Sequence, residues 1–206
     1  MSGVVEKKHY YDGLFYEKFV DTILQEIRDI IYTLVEDYSS VVDIGCGTGA
    51  LVFQLSKKCQ YVVGIELSAK MIQRAIRRMN KNNFKNVEFL KADAAKLGKF
   101  SCQEFDYAIA CMVIHELPVF KRDEVLNEMK RIAKKVIIVD YTVPLPLNLA
   151  GVTARFIEFL AGIDHFKNFR TFILQGGLPT LLNQNGFNIE CERSNMAETL
   201  QIIKAK

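Results

Sequence analysis

Residues 41–49 read Val41-Val42-Asp43-Ile44-Gly45-Cys46-Gly47-Thr48-Gly49, and the order of residue types there decides the fold. A short apolar run ends beside an acid, and three glycines then arrive at alternating positions. Glycines so placed let the backbone turn sharply and bring a ligand against bare main chain, where a β-carbon would collide. The next stretch, Ala50-Leu51-Val52-Phe53-Gln54-Leu55-Ser56, reads as a helix whose free N–H groups point back at the loop. Strand, glycine turn and helix N-terminus together predict a nucleotide-type cofactor site in an α/β fold.

The spacing also separates cofactors. Dinucleotide-binding turns prefer G-x-G-x-x-G. Here Ala50 stands where that last glycine would be, and Asp43 precedes the loop by two residues. In this acid-x-Gly-x-Gly-x-Gly form the chain resembles the class I S-adenosylmethionine (SAM) dependent methyltransferases. The likeness runs from about Tyr38 through Asp140 and recurs near Gly176-Gly177-Leu178. The stretch Phe105-Asp106-Tyr107-Ala108-Ile109-Ala110-Cys111-Met112-Val113-Ile114-His115-Glu116-Leu117 is similar to the small-molecule branch, the methyltransferase type 11 and ubiquinone–menaquinone biosynthesis enzymes.

The resemblance implies SAM as cofactor and assigns roles along the chain. Gly45, Cys46, Gly47 and Gly49 form the loop. Asp43 steadies it and helps hold the methionine amino group, with its burial compensated by hydrogen bonds from backbone N–H groups. Glu66, followed by Leu67, ends the second strand and is placed to accept from both ribose hydroxyls, a device shared with NAD-binding folds. Asp93, with Ala94, receives the adenine amino group, or else caps a helix over Ala94–Leu97. Ala110 and Cys111 line the sulfonium, with Met112 and His115 on the same rim. His115 either serves catalysis or holds the following loop through a ring N–H.

A chain of 206 residues with half its residues hydrophobic and a quarter charged predicts one globular domain over 1–206. A net charge of +3 is too small to imply nucleic acid or a membrane surface. The basic helix face Lys70, Arg74, Arg77 and Arg78 reads as a solvated face over an apolar stripe. No signal peptide or membrane span is legible, which predicts a cytoplasmic protein. Five scattered cysteines fit reduced thiols. No metal is expected: the three histidines are far apart in sequence, and His115-Glu116-Leu117-Pro118-Val119 lacks the second histidine of H-E-x-x-H.

Periodicity predicts a helix over Tyr10–Tyr38, then strands at Val41–Ile44, Tyr61–Glu66, Val87–Lys91, Phe105–Ala110, Val136–Asp140, Phe187–Arg193 and Thr199–Ile203. Helices alternate with the earlier strands, at about Leu51–Ser56, Ala69–Asn80 and Lys121–Ala133. Strand–helix alternation argues for a Rossmann-like, doubly wound parallel sheet. The five residues Ser194–Glu198 fit only a hairpin, so one C-terminal strand is antiparallel. The resembled fold orders its seven strands 3-2-1-4-5-7-6.

Two segments exceed what the cofactor fold requires: the helical cap 1–38 and an insertion at 141–175. Their aromatic surplus suggests an acceptor pocket closed by Tyr10, Tyr11, Phe15 and Tyr16 on one side and by Phe156, Phe159, His165 and Arg170 on the other, unless the insertion merely lengthens the core. His115 and His165 are the candidate bases. After the fourth strand, Ala110-Cys111-Met112-Val113 matches neither the [ND]-P-P-[YF] turn of amino-methylating enzymes nor the Pro-Cys nucleophile of cytosine methylation. The expected partner is therefore a small molecule and not a nucleic acid, methylated at O, N or C by in-line displacement. An NAD(P)-dependent oxidoreductase and a non-catalytic SAM-binding protein are the alternatives. Oligomeric state is open.

Overall fold

The computed structural model describes the backbone of residues 14–206, with side chains from residue 24 onward. Seven strands form one sheet in the order β3-β2-β1-β4-β5-β7-β6. They are β1 (Ser40–Ile44), β2 (Tyr61–Glu66), β3 (Val87–Lys91), β4 (Phe105–Cys111), β5 (Ala133–Tyr141), β6 (Ile189–Ser194) and β7 (Leu200–Ala205). β1 to β5 pair in parallel, and β7 runs antiparallel between β5 and β6. The expected strand order and the single reversed strand are both present.

The central strands are apolar on both faces, as sheets covered by helices require. Val41, Val42 and Ile44 of β1 and Ile137, Ile138 and Val139 of β5 are fully buried. Each such side chain contributes roughly 1.5–3 kcal/mol by leaving water. The helices are α1 (Leu14–Leu34), α2 (Ala50–Leu55), α3 (Ala69–Asn82), α4 (Val119–Ile132), α5 (Leu149–Leu160), α6 (Ile163–Leu174) and α7 (Gly177–Gln184). Ser68 caps α3 by accepting from the Met71 N–H, and Asn148 caps α5 by accepting from the Gly151 N–H at 3.0 Å. In α1, Ile27 and Ile31 make a buried stripe at four-residue spacing, which Val35 continues just past its end.

Three features depart from the periodicity reading. No helix follows Asp93: its side chain accepts from the Ala95 N–H in a tight turn instead. A 3₁₀ turn, Ile114–Glu116, leaves β4. The stretch between β5 and β6 holds three helices; α7 packs on β5 as the crossover, whereas α5 and α6 pack on each other and α6 also packs on the 3₁₀ turn.

Arg122 of α4 fastens that insertion. It is fully buried, and its guanidinium donates to the carbonyls of Leu117 (3.1 Å) and Asn168 (2.6 Å), to Thr171 Oγ1 (3.0 Å) and to Gln175 Oε1. Asn168 Nδ2 adds a bond to the Glu116 carbonyl at 2.8 Å. One planar five-donor group thus ties α6 to the segment after β4.

Candidate active site

The carboxyl ends of β1 to β5 open into one cleft of ≈ 2310 Å³. A pocket for one drug-sized ligand measures about 300–1,000 Å³, so this one has room for a cofactor and a second molecule.

At one end lies the glycine loop. Gly45 and Gly47 both take positive φ, +75° and +54°, and no atom lies within 4 Å of where a β-carbon on Gly47 would sit. That position opens onto the cleft. The Gly47 N–H donates to Glu66 Oε2 (3.2 Å) and the Ser68 N–H to Glu66 Oε1 (2.8 Å), so one carboxylate holds the ends of two loops together. Glu66, Leu67 and Ala94 line the cleft, as does Asp93. Asp93 Oδ2 pairs with Lys121 Nζ at 2.7 Å. Burial alone would raise the Asp93 pKa, but Lys121 and the Ala95 N–H outweigh it and hold the carboxyl below its usual range.

Asp43 departs from expectation. Among the described residues none donates a hydrogen bond to its buried carboxyl, because the loop N–H groups are engaged elsewhere. Those of Gly45 and Cys46 donate to the Ile65 carbonyl at 2.8 and 3.0 Å, and that of Gly49 to the Cys46 carbonyl. Desolvation, with Glu66 close by, pushes the Asp43 pKa up to about 8. Ala110 and Cys111 also sit differently, within the sheet; the cleft wall after β4 begins at Met112 and Val113. Cys46 and Gly49 pack behind the loop without lining the cleft.

The other end of the cleft has a polar floor. His115 Nδ1 lies 2.7 Å from Asp140 Oδ1, and Asp140 Oδ2 accepts from the His115 backbone N–H at 3.0 Å. Glu158 of α5 accepts from the Tyr141 hydroxyl (2.6 Å) and meets His165 Nε2 of α6. His115 Nε2 stands 3.6 Å from Glu158 Oε2. His115, Asp140 and Glu158 are all buried. Burial alone would depress the His115 pKa, but Asp140, then Glu158, reverse this and push it up to about 9. Both catalytic candidates converge here, with rings 5.6 Å apart.

The remaining pocket expectations divide. Tyr10 and Tyr11 lie outside the described residues, as do the side chains of Phe15 and Tyr16. Phe156, Phe159 and Arg170 are exposed and do not line the cleft. α5 turns Ala154, Ile157 and Glu158 inward; Phe159, a further 100° round the helix, stacks edge-on with Phe166 instead. Sequence reasoning missed Glu158, Asp140, Tyr141 and Arg28. Arg28 is a buried cation of α1 that lines the cleft, and its one signal was a charge beside the stripe of Ile27 and Ile31.

Known proteins agree with this geometry. The family model described as "Methyltransferase domain" matches residues 36–161, more than half of the chain. The chain belongs to the methyltransferase domain family. Its fold is that of solved SAM-dependent methyltransferases. Magnesium protoporphyrin IX methyltransferase from Synechocystis PCC 6803, solved with S-adenosylhomocysteine (SAH), shares the fold at a TM-score of 0.66 and 22% identity, over 95% of this chain and 90% of that one. A Methanococcus vannielii protein named "Probable cobalt-precorrin-6B C(15)-methyltransferase (decarboxylating)" is 37% identical over 57 residues, 28% of this chain and 32% of that protein. An uncharacterized RNA methyltransferase of Nostoc sp. is 28% identical over 106 residues, 47% of this chain and 23% of that protein. The chain therefore spans about a third or less of the length of these curated relatives. Among the described residues no helix is long and apolar enough to cross a membrane.

Proposed function

We propose that this methyltransferase acts on a small, partly apolar acceptor held between the 3₁₀ turn after β4 and helix α5. The observation that carries this reading is the buried floor of His115, Tyr141 and Glu158 beneath α5, at the end of the cleft away from the glycine loop. A chamber walled by Ala154 and Ile157, with a few polar groups below, suits a compact apolar molecule bearing one reactive heteroatom or carbon.

In this reading the glycine loop cradles the methionine end of SAM, with Asp43 toward its ammonium. Glu66 accepts from the ribose and Asp93 from the adenine amino group. The acceptor's electron pair forms a bond to the methyl carbon as the carbon–sulfur bond breaks, and sulfur keeps that pair, leaving SAH. Since SAM brings its own leaving group, the protein's work is to align the acceptor and exclude water. His115 and Glu158 would touch the acceptor, with His165 behind them. The free thiols fit a reaction in the cytoplasm.

Transfer of labelled methyl from SAM to a panel of phenols, amines and quinone precursors, run beside total RNA, tests this reading. Label in a small molecule is the expected result. Label in RNA alone would instead favour the second reading, for which relatives named as RNA methyltransferases speak.

A further inference from the structure

We propose that His115, His165 and Glu158 form a binding site for one divalent first-row transition ion, Zn²⁺ or Fe²⁺ in type, at the acceptor end of the cleft. One ligand atom from each of the three lies within 4.8 Å of the other two. Ligands about 2.1 Å from a tetrahedral zinc stand roughly 3.4 Å apart. His115 Nε2 and Glu158 Oε2 are already 3.6 Å apart, so His165 alone must swing slightly.

The surroundings are those a metal site requires. A ligating histidine ordinarily gives its other ring nitrogen to a carboxylate, which fixes the ring and its tautomer. Asp140 does this for His115 Nδ1 and is held in turn by the N–H groups of His115 and Tyr141. Glu158 Oε1 is steadied by the Tyr141 hydroxyl. The rings of Tyr141, Phe169 and Phe172 all approach His115 within 6.4 Å and form a dry shell. Two buried carboxylates, Asp140 and Glu158, match the charge of one divalent ion. Two imidazoles with one carboxylate suit zinc, iron, cobalt or nickel, whereas magnesium and calcium prefer all-oxygen sites.

His115 and Glu158 line the cleft, so an ion on them would turn its remaining coordination positions toward the proposed acceptor. That consequence rests on the proposed function; the site itself does not.

The test uses the full chain, stripped with a chelator, and titrates Zn²⁺ and Co²⁺ by calorimetry. X-ray absorption follows on the zinc-loaded wild type, with SAH affinity measured in parallel as the readout of the cofactor site. One equivalent of zinc in a nitrogen–oxygen shell with two imidazoles is expected. Glu158→Gln and His165→Ala should weaken binding about 100-fold, and Asp140→Asn about 10- to 100-fold. His165→Ala removes a half-buried ring near the surface, and unchanged SAH affinity verifies its fold. A wild type that binds no ion at micromolar concentration, a shell containing sulfur, or a folded His165→Ala that binds zinc as wild type would each overturn the proposal. None of these touches the methyltransferase reading, which stands or falls with SAH binding.

Discussion

Val113 Cγ2 lies 2.5 Å from the point where a β-carbon on Gly45 would sit. Val113 is branched at its own β-carbon and cannot swing away freely. The glycine loop and the rim after β4 are therefore fitted to each other, and the loop end of the cleft shares a wall with the rest of it.

Gly45→Ala should consequently cost about 3 kcal/mol, through positive φ and overpacking together. Gly47→Ala meets no neighbour and should cost about 1 kcal/mol, from its backbone conformation alone. Gly47→Arg should fill the cleft and abolish SAH binding while the chain stays folded. Thermal unfolding and calorimetry on the three variants check this; equal destabilisation by both alanines would contradict the Val113 contact.

Asp43 predicts a pH dependence in the ligand-free chain. Its folded pKa is raised to about 8 from an ordinary carboxylate value, so the folded state holds the proton more tightly than the unfolded one. The associated stability is complete below the unfolded value, near pH 4, and is lost as pH rises through about 8. Between about pH 5 and pH 8 the slope from this group approaches about 1.4 kcal/mol per pH unit. Unfolding midpoints of wild type should therefore fall more steeply than those of Asp43→Asn over that range. Parallel curves would remove Asp43 as the source.

The adenine assignment has a test of its own. Asp93→Ala should weaken SAH binding about tenfold or more, as expected for a lost charged acceptor. S-inosylhomocysteine has no exocyclic amino group, and its affinity should hardly change. If both ligands weaken equally, Asp93 acts through its pair with Lys121 and the turn at Ala95, and not through the base.

The glycine loop and the acids at the strand ends were legible in sequence because their requirements are local. Positive φ demands glycine, and strand-end acids follow their own strands at fixed distances, as Glu66 and Asp93 do. The polar cluster at the other end was not, because it is assembled from four places: His115 after β4, Asp140 ending β5, Glu158 in α5 and His165 in α6. No spacing links residues whose meeting depends on how an insertion folds back. Asp43 shows the opposite error. Its burial was readable, but the hydrogen bonds assumed for it were already made by Ile65 and Glu66. Phe159 and Arg170 lie off the cleft wall: composition reveals a surplus of aromatics without revealing which side of a helix faces in.

Arg122 is the most concealed residue of all, since Lys121, Asp123 and Glu124 around it make that turn of α4 read as surface. It joins α4, the 3₁₀ turn and α6, and α6 carries His165. Arg122→Lys keeps the charge but loses the planar fork, leaving several buried acceptors unsatisfied. Destabilisation of about 3 kcal/mol is expected. Before global unfolding, hydrogen exchange should rise selectively over Ile163–Leu174 and Ile114–Glu116. Loosening α6 displaces His165 and the acceptor floor but not the glycine loop, so methyl turnover should fall much further than SAH affinity. Exchange that stays protected in α6, or an SAH affinity that falls as far as turnover, would show that the insertion is held by its apolar contacts and that Arg122 is not its anchor.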